Sequence, residues 1–167
     1  MTATNHAITG AVIALAIKKP ELAIPLAFLS HFVIDAIPHY NPPHIHARQG
    51  HNAETTWERK FADPAFVGIF FGDMILLLIF LAICLVLGTA DVSRWTIVFS
   101  ALAAISPDFV GGRVLIYKYI GIKRKNPNKK SLFTRFHNWI QWMDRPSGII
   151  IEFAWFFIMV WLIRVLR

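Results

Sequence analysis

Histidine and aspartate side chains recur at positions where they could bind a metal ion together. His31 and Asp35 are spaced i, i+4, so on a helix they share one face and can bind one ion. Pro38 breaks that helix and can turn His39 back towards the pair. The pattern His31-x-x-x-Asp35-x-x-Pro38-His39 therefore predicts a metal-binding element at a helix end.

Further candidate ligands are spread over distant parts of the chain. His6 opens the first apolar segment, Asp108 closes the fourth, and His137 lies in a basic loop. Asp73 lies inside the third apolar segment, where an isolated carboxylate costs at least ~2.5–3.5 kcal/mol and so needs a partner, an ion or a buried site. Glu152 begins the fifth segment, where it could also pair with a basic loop residue. The predicted topology brings all of these side chains to one membrane face.

This set of side chains indicates a particular chemistry. Imidazole and carboxylate ligands suit zinc, and carboxylate-rich sites also suit manganese or magnesium. Because the set exceeds one tetrahedral site, a pair of ions bridged by a carboxylate would use it fully. Such a site lowers the pKa of a bound water to near 7 and clamps a phosphoryl group, which is what phosphoester hydrolysis needs. Asp35 and Asp73 are the candidate catalytic carboxylates, with Asp73 bridging, orienting a ligand or acting as base.

The surrounding composition is that of a membrane protein. Apolar residues make up 56% of the 167 residues and charged residues 16%, against roughly 25% charged in ordinary globular proteins. The first two apolar segments are too short to span comfortably, which leaves a tilted pair or a re-entrant hairpin. We predict one all-α, membrane-embedded domain over residues 1–167, a bundle of four to five helices with a short amphipathic helix in the last cytoplasmic loop. The apolar segments cover residues 6–17, 20–37, 65–87, 94–110 and 148–166.

The net charge of +7 is concentrated in the loops. With five segments, the amino terminus and the loops 38–64 and 111–147 share one side, which holds 12 of the 17 basic residues. The positive-inside rule then places that side in the cytoplasm and the protein in the inner (plasma) membrane. Anionic phospholipid headgroups are the simpler partner for these loops, and nucleic acid is not expected. The single cysteine, Cys84, excludes an intramolecular disulfide.

Four short stretches carry a family resemblance: His6-Ala-Ile-Thr-Gly10, HFVIDAIPH from His31 to His39, Pro107-Asp108, and FHNWIQ around His137. They resemble small bacterial membrane proteins described as predicted membrane-bound metal-dependent hydrolases, and more distantly the all-α zinc-dependent phospholipase C and nuclease fold. The resemblance implies a divalent metal, a phosphoester in a lipid or lipid-linked substrate, and metal-ligand roles for His6, His31, Asp35, Asp108 and His137. Asp73 and His39 join this set on topology and spacing alone. Gln141 departs from the phospholipase-like His-x-x-x-Glu/Asp pattern, which argues against a complete trinuclear site.

Two other interpretations stay open. In one, the protein is a non-catalytic metal-binding scaffold or ion-handling component. In the other, the His and Asp residues are ordinary helix caps in a structural protein, so their ligand atoms would lie too far apart to share an ion. His44, His46 and His51 fit loop histidines better than ligands, although they could rim a site or respond to pH.

Overall fold

The structure is a computed structural model that describes residues 1–40, 61–86, 88–120, 131–141 and 146–167, with only the backbone described for 111–119, 134 and 138. Within these ranges the chain is all-helical and has no strand, which confirms the predicted fold class. The predicted loop histidines His44, His46 and His51 and the basic run 123–130 lie outside the described residues. The helices are α1 (Ala3–Ile17), α2 (Pro20–Asp35), α3 (Pro64–Cys84), α4 (Arg94–Tyr119), α5 (Leu132–Ile140) and α6 (Gly148–Leu166).

Helix α1 forms the centre of the bundle. It packs against α2, α3, α4 and α6, and most of its residues are buried. Its sequence explains this position, since alanine and glycine side chains are small enough to let neighbouring backbones approach closely. Ala7, Ala11 and Ala14 are fully buried against the surrounding helices. The short first segment is therefore the core element around which the longer helices pack.

Helices α1 and α4 approach each other closely at Gly10, where they cross. A Cβ atom at Gly10 would overlap the backbone carbonyl oxygen of Ser100. Glycine is needed here because the neighbouring atoms belong to a helix backbone and cannot rotate away. The crossing fixes the depth of α1 relative to α4, and both helices supply residues to the site described below.

We expect Gly10→Ala to lower the free energy of unfolding by about 1–3 kcal/mol, because an inserted methyl group must push the two helices apart. The measurement is the thermal unfolding midpoint of the purified protein in detergent. Gly72→Ala in α3 is the matched control, since a Cβ there meets nothing within 4 Å. That variant should be neutral or stabilising by up to about 1 kcal/mol from helix propensity. Equal midpoints for the two variants would contradict the close crossing.

Two helices are long and apolar enough to cross a membrane. They are α3, with 21 residues, and α6, with 19. In each, only 11% of the most apolar stretch is buried, whereas the core helix of a soluble protein would be mostly buried. Helix α1, with 15 residues, and α2, with 16, are shorter than a span of about 20 residues requires. The predicted bundle of four to five spanning helices thus stays a prediction beyond these two.

Helix α4 runs further than the sequence indicates. The predicted end at Ser106-Pro107-Asp108 is wrong, because the helix continues through Pro107 to Tyr119. Proline removes the N–H group that would bond the carbonyl four residues earlier, that of Ala103. The Ser106 hydroxyl donates to this Ala103 carbonyl at 2.8 Å and so replaces the missing hydrogen bond. Asp108 therefore lies within a continuous helix.

Helix α5 is the short amphipathic helix predicted for the last long loop. It packs against α2 with His137 and Ile140, which are 6% and 8% exposed, while Leu132 and Trp139 are largely exposed. Phe133 is also turned towards α2, with its ring 6.0 Å from that of Phe32. This packing directs His137 towards the end of α2.

Candidate metal centre

Four predicted ligands from three helices converge at one end of the bundle. They are His31 and Asp35 of α2, Asp108 of α4 and His137 of α5. Each offers one nitrogen or oxygen atom, and these atoms all lie within 4.8 Å of one another. The helix-cap interpretation requires ligand atoms too far apart to share an ion, and these distances contradict it. The cluster could hold a metal ion.

The separations between the ligand atoms are close to those of a four-coordinate site. His31 Nε2 lies 3.0 Å from His137 Nε2, 3.2 Å from Asp35 Oδ2 and 3.6 Å from Asp108 Oδ1. His137 Nε2 lies 3.1 Å from Asp35 Oδ2 and 3.7 Å from Asp108 Oδ1. A tetrahedral ion with bonds of about 2.0–2.2 Å separates its ligands by about 3.3–3.6 Å. Small side-chain movements would therefore bring the four atoms into such a shell.

The orientation of the His31 ring is fixed by the backbone of α4. Its Nδ1 lies 2.8 Å from the carbonyl oxygen of Ala104. A carbonyl can only accept a hydrogen bond, so Nδ1 carries the proton and the lone pair of a neutral ring lies on Nε2. That lone pair points at the oxygens of Asp35 and Asp108, which are also electron-rich. A cation between them would relieve this repulsion, and imidazoles that bind a metal usually donate their other N–H group to a carbonyl or a carboxylate.

Asp35 connects the cluster to the rest of this end of the bundle. Its Oδ2 faces the cluster and also accepts a hydrogen bond from the Gln141 side-chain amide at 2.9 Å. Its Oδ1 faces away, 3.0 Å from His6 Nε2 and 2.8 Å from the Met1 nitrogen, which donates to it. Gln141, four residues after His137, thus helps to orient the Asp35 carboxylate. Both oxygens of the Asp35 carboxylate are therefore engaged, one on each side of the residue.

His6 lies beside the four-residue cluster as a supporting residue. Its ring stacks on His31 with 4.1 Å between centroids, and its Nε2 contacts Asp35. Its other ring nitrogen, Nδ1, is buried and has no hydrogen-bond partner among the described residues. The structure thus places His6 beside the four-residue cluster but not in it, because His6 contacts the Asp35 oxygen that faces away from the cluster.

The cluster is buried on one side and open on the other. The side chains of His31 and Asp35 are 0% exposed, whereas the Asp108 side chain is 39% exposed. A small molecule can therefore approach the ligand atoms from the Asp108 side. A catalytic ion would have to keep one coordination position accessible, and the exposed side at Asp108 would meet that requirement.

Asp73 lies outside this group and holds the amino-terminal end of α1. Its Oδ2 accepts a hydrogen bond from Ala3 N at 2.8 Å, and its Oδ1 accepts one from Thr4 N at 3.1 Å. The Thr4 hydroxyl also donates to the Asp73 carbonyl at 3.0 Å. The first N–H groups of a helix have no partner within it and carry partial positive charge, so a carboxylate is a favourable partner for them. The predicted bridging, orienting or base role of Asp73 stays a prediction beside these contacts.

Glu152 completes the anchoring of α1 from the opposite side. Its Oε2 accepts from Thr2 N at 2.9 Å and lies 3.5 Å from the Asn5 amide nitrogen, which also donates to the Glu152 backbone carbonyl. Its Oε1 accepts from Tyr40 N at 3.0 Å. The alternative in which Glu152 pairs with a basic loop residue finds no such pair among the described residues. Two carboxylates from different helices therefore position the turn that carries His6.

His39 follows α2 and is placed near the start of α6. It is 5% exposed, and its Nδ1 donates to the Ile37 carbonyl at 2.9 Å. A Cβ at Gly148 would overlap the His39 backbone, so only glycine permits this contact. Pro38 does turn the chain, but His39 does not join the four-residue group.

Two contributions to the site have no signature in the sequence. The Ala104 carbonyl acts through the backbone, and any residue at that position could supply it. Asn5 is a buried hydrogen-bond donor whose only sequence signal is its position next to His6. The remaining predicted ligands converge from helices that lie far apart in the chain. No family model, curated protein or solved structure matches this chain.

Proposed function

We propose that this protein is a membrane-bound, metal-dependent hydrolase that cleaves a phosphoester in a lipid or lipid-linked substrate. The observation that carries the proposal is the convergence of four ligand atoms within 4.8 Å, drawn from three helices and open on the Asp108 side. Buried aspartate and histidine side chains in such close contact are costly unless they share protons or a cation. The resemblance of the motifs to a family described as membrane-bound hydrolases supports the same activity.

The donor set favours a divalent ion of the zinc class. Two imidazole nitrogens and two carboxylate oxygens suit zinc, and the carboxylates also permit manganese or magnesium. A divalent ion held there would supply Lewis acidity and lower the pKa of water to near 7. Hydrogen bonds would hold two of the ligands in place: the Ala104 carbonyl fixes the His31 ring, and the Gln141 amide orients the Asp35 carboxylate.

Water is the proposed nucleophile. Within the described residues, no serine or cysteine is hydrogen-bonded to a histidine of the cluster, and Cys84 is buried in an apolar core far along α3. Asp108, the exposed member of the cluster, lies where a phosphoester would approach. The water oxygen would form a bond to phosphorus as the P–O bond to the alcohol breaks, and the leaving alkoxide would take up a proton released by that water.

A membrane location is part of the proposal. Helices α3 and α6 could span a bilayer, and large apolar side chains such as Leu78 and Phe157 are 67% and 66% exposed. An apolar surface of this size must be shielded from water. Lipid acyl chains would shield it, and a lipid environment also explains the low content of charged residues. The cluster would lie on the cytoplasmic side, where the sequence places most basic residues.

The experiment is hydrolysis of lipid phosphoesters by purified protein in mixed micelles. We expect activity that is lost on treatment with a chelator and restored by zinc, manganese or magnesium. Asp108→Asn should lower activity at least about 100-fold, because second-shell changes alone cost 10–100-fold at metal sites. Asp91→Asn is the matched control, since Asp91 is an exposed aspartate paired with Lys18 at the other end of α1. Metal-binding protein without any hydrolysis would favour the non-catalytic scaffold instead.

A further inference from the structure

An apolar cleft lies between the end of α2 and α5. Its volume is about 370 Å³, and Phe32, Ala36, Trp139 and Ile140 line it. Sites for small ligands commonly measure about 300–1,000 Å³ and are lined mainly by apolar side chains with polar groups at one end. The four lining residues are apolar or aromatic, so the polar groups of such a ligand site would have to come from neighbouring residues.

The neighbouring polar site is the four-residue cluster of His31, Asp35, Asp108 and His137. The Phe32 ring packs edge-on against His31, with 5.4 Å between centroids, and lies 6.3 Å from the ring of His137. Ala36 directly follows Asp35 in the chain, and Ile140 lies one helical turn after His137. The residues that line the cleft are therefore close in sequence to three of the four cluster residues, those from the α2 and α5 segments. A molecule that fills the cleft has its end close to the cluster.

The outer edge of the cleft continues into exposed apolar surface. On α5, Trp139 is 73% exposed and Leu132 is 82% exposed. On α2, Leu29 and Val33 are 55% and 67% exposed. An apolar path thus leads from the flank of α2, which in a membrane would contact lipid, into the cleft and on to the metal cluster.

We propose that the cleft seats a fatty acyl chain of an anionic phospholipid, so that the headgroup phosphoester lies at the metal cluster. The inference rests on the proposed function for its headgroup end. Charge favours this occupant, because α5 lies at the end of the most basic part of the sequence and Arg135 on it is exposed. The acyl chain would reach the cleft along α2, where the exposed Val33 follows the cleft residue Phe32. The cleft therefore selects the substrate by its hydrocarbon chain as well as by its phosphate.

Photo-cross-linking tests this seat without requiring turnover. The full chain is reconstituted into phosphatidylcholine–phosphatidylglycerol vesicles that contain a phosphatidylglycerol analogue with a diazirine on one acyl chain. Labelling is carried out in the presence of a chelator, and the adducts are mapped by peptide mass spectrometry. We expect adducts on Phe32, Trp139 or Ile140. A parallel arm uses a polyprenyl phosphate with the same photoreactive group.

Ala36→Trp is the test variant, because a large side chain there fills the cleft. We expect labelling of the cleft residues to fall about tenfold, which equals the loss of roughly two buried methylene groups of the ligand. Ile75→Trp on the exposed face of α3 is the matched control, and it should leave cleft labelling unchanged. The thermal unfolding midpoints of both variants show whether they fold. If Ala36→Trp does not fold, the smaller substitution Ala36→Leu is used as the test variant.

The outcomes separate this inference from the hydrolase proposal. Cleft labelling that Ala36→Trp leaves unchanged, or no labelling above that of Phe71 on α3, overturns the acyl seat even where phosphoesters are hydrolysed. Preferential labelling by the polyprenyl probe overturns the acyl assignment. Specific cleft labelling without any hydrolysis supports the acyl seat and contradicts the hydrolase.

Discussion

We expect the purified wild-type protein to carry a divalent metal ion and the Asp35→Asn variant to lose it. Asparagine keeps the volume of Asp35 but removes the negative charge that faces His31 and His137 at 3.2 and 3.1 Å. Loss of a ligand charge should weaken metal binding by more than about 100-fold, since changes to second-shell partners already cost 10–100-fold. Elemental analysis of wild type and variant, purified in parallel, measures the effect.

Two further variants make the metal result specific. Asp108→Asn should also lower metal content, and because the Asp108 side chain is 39% exposed, it does so with little effect on folding. Asp91→Asn removes an exposed carboxylate of the Lys18 pair and should leave metal content at the wild-type value. Equal metal content in all four proteins would remove the main support for the hydrolase.

The second large effect is expected at Asp73, and it concerns stability. Asp73→Ala removes both carboxylate acceptors from the Ala3 and Thr4 N–H groups at the start of α1. Helix α1 has no side-chain cap from Thr2, its own N-cap residue, so these partners from α3 are the ones that satisfy its first turn. We expect the free energy of unfolding to fall by about 2 kcal/mol, the upper range for loss of a helix cap. This corresponds to a decrease of roughly 4–8 °C in the thermal unfolding midpoint for a chain of this size.

The same variant decides between the two roles of Asp73. A capping carboxylate predicts a lower unfolding midpoint with metal content unchanged. A metal ligand predicts lost metal with little change in the midpoint of the metal-free protein. Asp73→Asn refines the comparison, because its single amide oxygen keeps one of the two acceptors and should recover part of the lost stability.

Much of the cluster follows from simple rules of spacing and topology. His31 and Asp35 share a helical face because they are four residues apart in the sequence, and His31 Nε2 lies 3.2 Å from Asp35 Oδ2. Asp108 and His137 join them because α3 leads the chain away from the end of α2 and α4 brings it back. The short amphipathic helix α5 is also visible in the sequence, since its apolar residues recur with helical spacing.

The parts that the sequence misses involve partners without a side-chain signature. The need for a partner at Asp73 is predictable, but its partners are backbone N–H groups, which every residue but proline carries. The Ala104 carbonyl that orients His31 is equally invisible. The sequence also predicts the wrong end for α4, near Pro107. The general rule that proline ends a helix does not consider that the preceding residue, Ser106, can donate to the Ala103 carbonyl in place of the missing N–H group.

The central position of α1 has a consequence for how the chain assembles. Helix α1 precedes its neighbours in chain order, yet its first turn is held by Glu152, about 150 residues later. Contacts between such distant parts of a chain form late, because a long loop must close before they contribute. In the nascent chain, the small residues of α1 therefore lack their partners on α3, α4 and α6 until those helices have been synthesised. We expect truncation before α6 to leave α1 and α2 open to proteolysis and chaperone binding.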